Sequence, residues 1–104
     1  MKNLENTRCC VVAELHWLID EPTNGPAARL NCYREKRGLD DIFSVFIKFE
    51  SPKRSNGVWQ MAKIFALVTE MEPRLFSGDE QLILTAGNIQ VAVAKVMSEC
   101  SEPI

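Results

Sequence analysis

The chain has 104 residues, 46% of them hydrophobic and 25% charged, which suits one domain with a real core. Twelve basic residues against fourteen acidic ones leave a formal charge of −2, so no global pull toward nucleic acid or anionic membrane is expected. No apolar run approaches the roughly 20 residues of a membrane span, and the N-terminus lacks the apolar core of a signal peptide.

In chain order, Met1–Thr7 (MKNLENT) is polar and is expected to fray. Residues 9–19, CCVVAELHWLI, then alternate. Cys9, Val11, Ala13, Leu15, Trp17 and Ile19 are apolar, and Glu14 and His16 fall between them. A two-residue period over this length predicts a half-buried strand. Asp20 to Pro26 (DEPTNGP) is a cluster of turn formers that ends it. A second alternation sets Ala28, Leu30 and Cys32 against Arg29, Asn31 and Tyr33, followed by the charged connection Arg34-Glu35-Lys36-Arg37-Gly38. The third strand, Ile42–Phe49, carries Phe43, Val45, Ile47 and Phe49 on one face. Ser44 and Lys48 lie opposite, with Phe46 between them.

Val58–Met71 fits two periods. Val58, Met61, Phe65 and Val68 have helical spacing, while Val58, Gln60, Ala62, Ile64, Ala66 and Val68 alternate as a strand would. Periodicity leaves both open. Pro73 to Gly78 reads as a connection. Leu82 and Leu84 mark a short strand, Ala86-Gly87-Asn88 a tight hairpin, and Ile89 onward a return strand. On that return strand Ile89, Val91 and Val93 face one way, and the small face holds Gln90, Ala92 and Ala94. Ser98–Ile104 is polar and is expected to fray like the N-terminus. Six strands separated by turn signals predict an all-β fold, a six-stranded antiparallel barrel, closed or nearly closed, forming a single domain over 1–104.

These spacings resemble the C-terminal, third β-barrel domain of translation elongation factor Tu. The strand Val11–Ile19, the loop with Gly25 and Leu30–Tyr33 match its opening. The block Met61–Thr69, Pro73, Leu75, Gly78, Leu82, Leu84, Gly87 and Val91–Val96 matches its end. The resemblance implies a barrel and makes Val58–Met71 a strand. It does not carry over the family's function. Ser55-Asn56-Gly57 and Ala86-Gly87-Asn88 replace that domain's Pro-Gly-Asp and Gly-Gly-Arg. No G-x-x-x-x-G-K-[ST] occurs, so the phosphate loop of a GTPase is missing from this sequence.

Four cysteines, Cys9, Cys10, Cys32 and Cys100, form no C-x-x-C, and reduced thiols in a cytoplasmic protein are expected. Cys10, Glu14 and His16 share one face of the first strand and could in principle serve as nucleophile and base. Positions two apart on a strand lie about 6–7 Å from each other, too far for a direct hydrogen bond. One histidine with scattered carboxylates is a poor supply of metal ligands, so no metal and no cofactor is expected. Arg34, Lys36 and Arg37 in one loop and Lys53 and Arg54 in another could form a phosphate-binding patch, with Tyr33 stacking on a base. Acidic residues at strand ends, from Asp20 and Glu21 to Asp79 and Glu80, could instead face a basic protein. The expected role is therefore non-catalytic binding of a protein partner, for example an immunity-type protein masking a toxin. An RNA- or tRNA-binding barrel using the basic loops is the alternative, and an enzyme built on Cys10, Glu14 and His16 the third reading. A homodimer is open to the chain if Trp17 or Trp59 is exposed, though nothing in the sequence forces one.

Overall fold

A computed structural model describes residues 7–19, 27–50, 60–76 and 81–103. Six strands follow one another: β1 (Thr7–Trp17), β2 (Ala27–Arg34), β3 (Phe43–Phe49), β4 (Gln60–Ala66), β5 (Leu82–Ala86) and β6 (Ile89–Pro103). They pair in the order β1-β4-β3-β2-β5-β6 and close into a barrel, every pair antiparallel. Strands β2, β3 and β4 are sequential neighbours and β1 returns beside β4, which is a Greek-key arrangement. Among the described residues closure leaves no edge strand in the barrel proper, and only the ends of β1 and β6 that run past it have a partner on one side alone.

Alternation explains the interior. Val11, Ala13, Leu15 and Trp17 from β1 meet Phe43, Val45 and Ile47 from β3 and Ala62, Ile64 and Ala66 from β4. Cys32, Leu82, Leu84, Ala92 and Ala94 complete the buried cluster, and Leu75 plugs one end from the 3-10 segment Thr69–Phe76. On β6 the small face is the inner one, and Ala92 and Ala94 let the opposite wall approach closely. A register shift at Leu84/Thr85 gives β6 an extra residue, which brings Val91 into the core beside Ala92. The hairpin between β5 and β6 turns at Gly87, whose φ of 63° is the left-handed conformation that glycine accepts without a Cβ penalty.

Four expectations change. β1 ends at Trp17, leaving Leu18 and Ile19 exposed. The strand drawn through Val58–Met71 is β4, and it stops at Ala66. The chain then winds into the 3-10 segment, which contains Pro73, a residue that cannot donate to a ladder. Val58 and Trp59 lie outside the described residues. The polar tail does not fray through Pro103: β6 continues there, pairing Glu102 with Arg8 and Pro103 with Thr7. Finally, the thiols are not all reduced, because Cys10 and Cys100 face each other across the β1–β6 ladder and form a disulfide. Directly opposed residues on neighbouring strands bring their Cα atoms within disulfide range, here 5.0 Å. Cys9, one residue away, points to the other side of the strand and is a free, exposed thiol.

Interior positions tolerate neither added nor removed volume. Ala94→Leu should cost about 1–3 kcal/mol by overpacking, and Leu15→Ala about 2–5 kcal/mol by leaving a cavity. The solvent-facing Lys95→Ala should stay within about 0.5 kcal/mol. Urea denaturation of the three variants checks the ranking.

Candidate functional site: a groove between the barrel wall and a two-stranded ribbon

The interior is packed with side chains, so a candidate site has to lie on the outside. On β3 the outward residues are Ser44, Phe46 and Lys48, and on β4 they are Met61, Lys63 and Phe65, the complement of the inward sets above. Register places Phe46 opposite Phe65 and Lys48 opposite Lys63. The two rings are tilted at 51° with centroids 6.4 Å apart, a favourable aromatic pairing. Lys48 Nζ lies 6.0 Å from the centroid of the Phe65 ring.

A second structure stands beside this wall. The β1–β4 ladder starts only at Val11, and the β5–β6 ladder reaches only Ala94. Beyond those points residues 7–10 and 100–103 pair with each other, forming a ribbon that continues β1 and β6 past the barrel proper. A register shift at Val12/Ala13 marks the passage from barrel to ribbon. Arg8 and Glu102 face each other on the ribbon and reach back to the wall. Arg8 donates from Nη2 to the carbonyl oxygen of Ala66. Glu102 accepts from Lys48 Nζ at 3.1 Å and from Lys63 Nζ, and Lys63 also lies 3.4 Å from Glu50. Between wall and ribbon lies a concavity of ≈ 300 Å³ lined by Arg8, Phe46, Lys48, Phe65, Ala66, Leu67 and Glu102. Its floor is aromatic and aliphatic, and its rim carries both signs of charge.

The charges hold each other. Hydrogen bonds from Lys63 and then Lys48 keep the Glu102 carboxyl below its usual range, and the same bond from Lys63 to Glu102 raises the Lys63 ammonium. A depressed carboxylate contributes stability above its unfolded value, lost as pH falls through the folded one. A raised ammonium contributes below its unfolded value, lost as pH rises through the folded one. The tie between ribbon and wall is therefore complete from about pH 4 to about pH 10, the ordinary values of the two groups.

The residues singled out from sequence scatter. Arg34 holds Asp41 with both ends of its guanidinium, Nε to Oδ2 at 2.9 Å and Nη2 to Oδ1 at 2.7 Å, while its backbone N–H donates to Oδ2. Asp41 is buried, so this bidentate pair fastens the 3-10 turn Leu39–Asp41 to the end of β2. Lys36 and Arg37 lie exposed in the turn that follows β2, while Lys53 and Arg54 lie outside the described residues. Tyr33 is buried, and its hydroxyl accepts from Gln90 Nε2 at 3.0 Å, so its ring is not laid open for stacking. Cys10, Glu14 and His16 do alternate with the inward residues of β1, as expected. Cys10 Sγ, however, is bonded to Cys100 and is no nucleophile in this state. The remaining buried thiol, Cys32, is pushed up by burial and by Asp41, and so stays protonated and unreactive. Trp17 is buried, with Nε1 donating to the buried Gln60 Oε1 at 2.7 Å and its ring 5.9 Å from that of Phe49, so it presents no dimer anchor. Trp59 lies outside the described residues. Among the described residues no three His, Cys, Asp or Glu side chains gather as a metal site. No helix among them is long and apolar enough to cross a membrane.

A second concavity, ≈ 310 Å³, lies by the β5–β6 hairpin and is lined by uncharged residues, among them Tyr33, Leu39, Ile42, Thr85 and Gln90. Its Thr85 hydroxyl is shielded from solvent and makes no hydrogen bond.

Sequence pattern alone does not mark the groove. Phe46 is an apolar residue on a polar face, and Phe65 and Lys63 alternate with the inward residues of β4. Only the register of β3 on β4 joins them.

No protein-family model, curated protein or solved structure matches the chain. The closed six-stranded antiparallel barrel is compatible with a small barrel domain.

The Glu102 carboxyl should titrate below the usual value of about 4.3 for glutamate. Lys63→Met should move its midpoint upward, and by more than Lys48→Met does. Carbon-13 NMR of the glutamate carboxyls across the acid range reads both shifts.

Proposed function

We propose that the barrel is a non-catalytic module that binds a protein through the groove between its β3–β4 wall and the ribbon. The observation that supports this most is the groove's composition: Phe46, Phe65 and Leu67 beneath a rim of Arg8, Lys48 and Glu102. An apolar centre inside a mixed-charge rim is the usual anatomy of a protein interface. A strand-face nucleic-acid site has aromatic rings among uncompensated cations. Here Glu102 offsets Lys48 and Lys63, and the overall charge is −2. RNA is therefore the second choice. An inhibitor masking the active surface of a toxin is one form the role can take, and the kinship with the elongation-factor barrel remains part of this proposal, as does cytoplasmic residence.

A photo-crosslinking amino acid at position 67, introduced in the source cells, should yield one discrete protein adduct, or a species of twice the monomer mass where the partner is a second copy. The same group at exposed position 95 should yield none. Phe46→Glu should remove the adduct, consistent with loss of a contact worth about 2 kcal/mol or more, roughly thirtyfold in affinity. Equal labelling at 67 and 95, or an adduct sensitive to ribonuclease, would overturn the reading.

A further inference from the structure

The ribbon builds one side of the groove. Among the described residues its two strands, 7–10 and 100–103, pair in the sheet only with each other. An isolated two-stranded ribbon is marginal in water. Cys10 is fully buried, and the ties between ribbon and wall include polar contacts: Arg8 to the Ala66 carbonyl, and Glu102 to the partly exposed Lys48 and Lys63. Pairs of that kind contribute little individually. The covalent bond between Cys10 and Cys100 lies within the ribbon itself, two residues from Arg8 on one strand and two from Glu102 on the other. Barrel closure does not need it, since the β1–β6 ladder continues from Ala13 facing Val96 to Trp17 facing Ala92.

We infer that the Cys10–Cys100 disulfide is a redox latch: closed, it holds the ribbon and the groove in place, and opened by a dithiol it releases the ribbon while the barrel stays shut. The step balances. A thiolate of the dithiol attacks Cys100 Sγ, on the less buried of the two residues, forming a mixed disulfide and expelling Cys10 as a thiolate that takes up a proton. The second thiol of the reductant then displaces Cys100, which leaves two cysteine thiols and the reductant as its own disulfide. Two electrons and two protons have passed to the protein. The inference rests on the groove being the docking face only for its consequence. The latch itself is testable without a partner.

The experiment is amide hydrogen exchange by NMR on the full chain in a Cys9→Ser background, which removes the exposed thiol that could exchange with the disulfide. Spectra are compared for the oxidised protein, the protein in excess dithiothreitol and the protein after reoxidation. On reduction, the amides among residues 100–102 that donate into the β1–β6 ladder, every second one, should exchange about ten- to a hundredfold faster, the mark of local opening. Those of Ile83, Leu84, Ala92 and Ala94 should not change, and reoxidation should restore the slow rates. Unchanged exchange at 100–102, or a uniform rise across ribbon and barrel, overturns the latch. Crosslinking from position 67 separates the two claims: local opening with unaltered adduct yield keeps the latch and removes the groove as the docking face.

Discussion

The pairing of β1 with β6 is the constraint on which the rest of the structure depends. Within the barrel it closes the sheet, setting Leu15 against Ala94 and Ala13 against Val96. Past the barrel the same two strands run on together and lift Arg8 and Glu102 beside the outer face of β3 and β4. One ladder therefore does two jobs, burying the core on one stretch and raising a wall of the groove on the other. The residue inserted near Met97 marks the change, since one extra residue in β6 carries Ser98, Cys100 and Glu102 onto the outside.

Closure also decides where chemistry can happen. A six-stranded barrel is narrow, and Leu15, Ile47, Ile64, Leu82 and Leu84 fill it. Trp17 Nε1, admitted to the interior, is tied off by Gln60. The outer surface is left, where Phe46 and Phe65 sit beside the paired charges of Lys48, Lys63 and Glu102. Those pairs give the groove a defined shape at neutral pH without giving it a strong field of either sign.

The all-β fold was legible because five of the six strands bury a face along much of their length. Val11 to Trp17 and Phe43 to Phe49 show the two-residue period plainly, and Ala92 and Ala94 betray the tight packing of a closed sheet. The ribbon was illegible for the converse reason. Ser98 to Glu102 buries no continuous apolar face, so no periodicity distinguishes a paired strand there from a solvated tail. The end of β4 was hidden because Leu67 and Val68 continue the apolar run after the pairing has stopped. The groove needed register more than composition. Cys10 and Cys100 are 90 positions apart, and Phe46 meets Phe65 only once β3 and β4 are aligned. Arg34 looked like a free cation until Asp41, seven positions on, proved to be its partner.

The most direct measurement is a nuclear Overhauser spectrum of the backbone protons across this ladder. The account predicts long-range contacts between Leu15 and Ala94 within the barrel and between Arg8 and Glu102 beyond it, in one continuous antiparallel register. A first strand that touches β2 in place of β6, or a C-terminal segment after Val96 without contacts to residues 7–12, would contradict it.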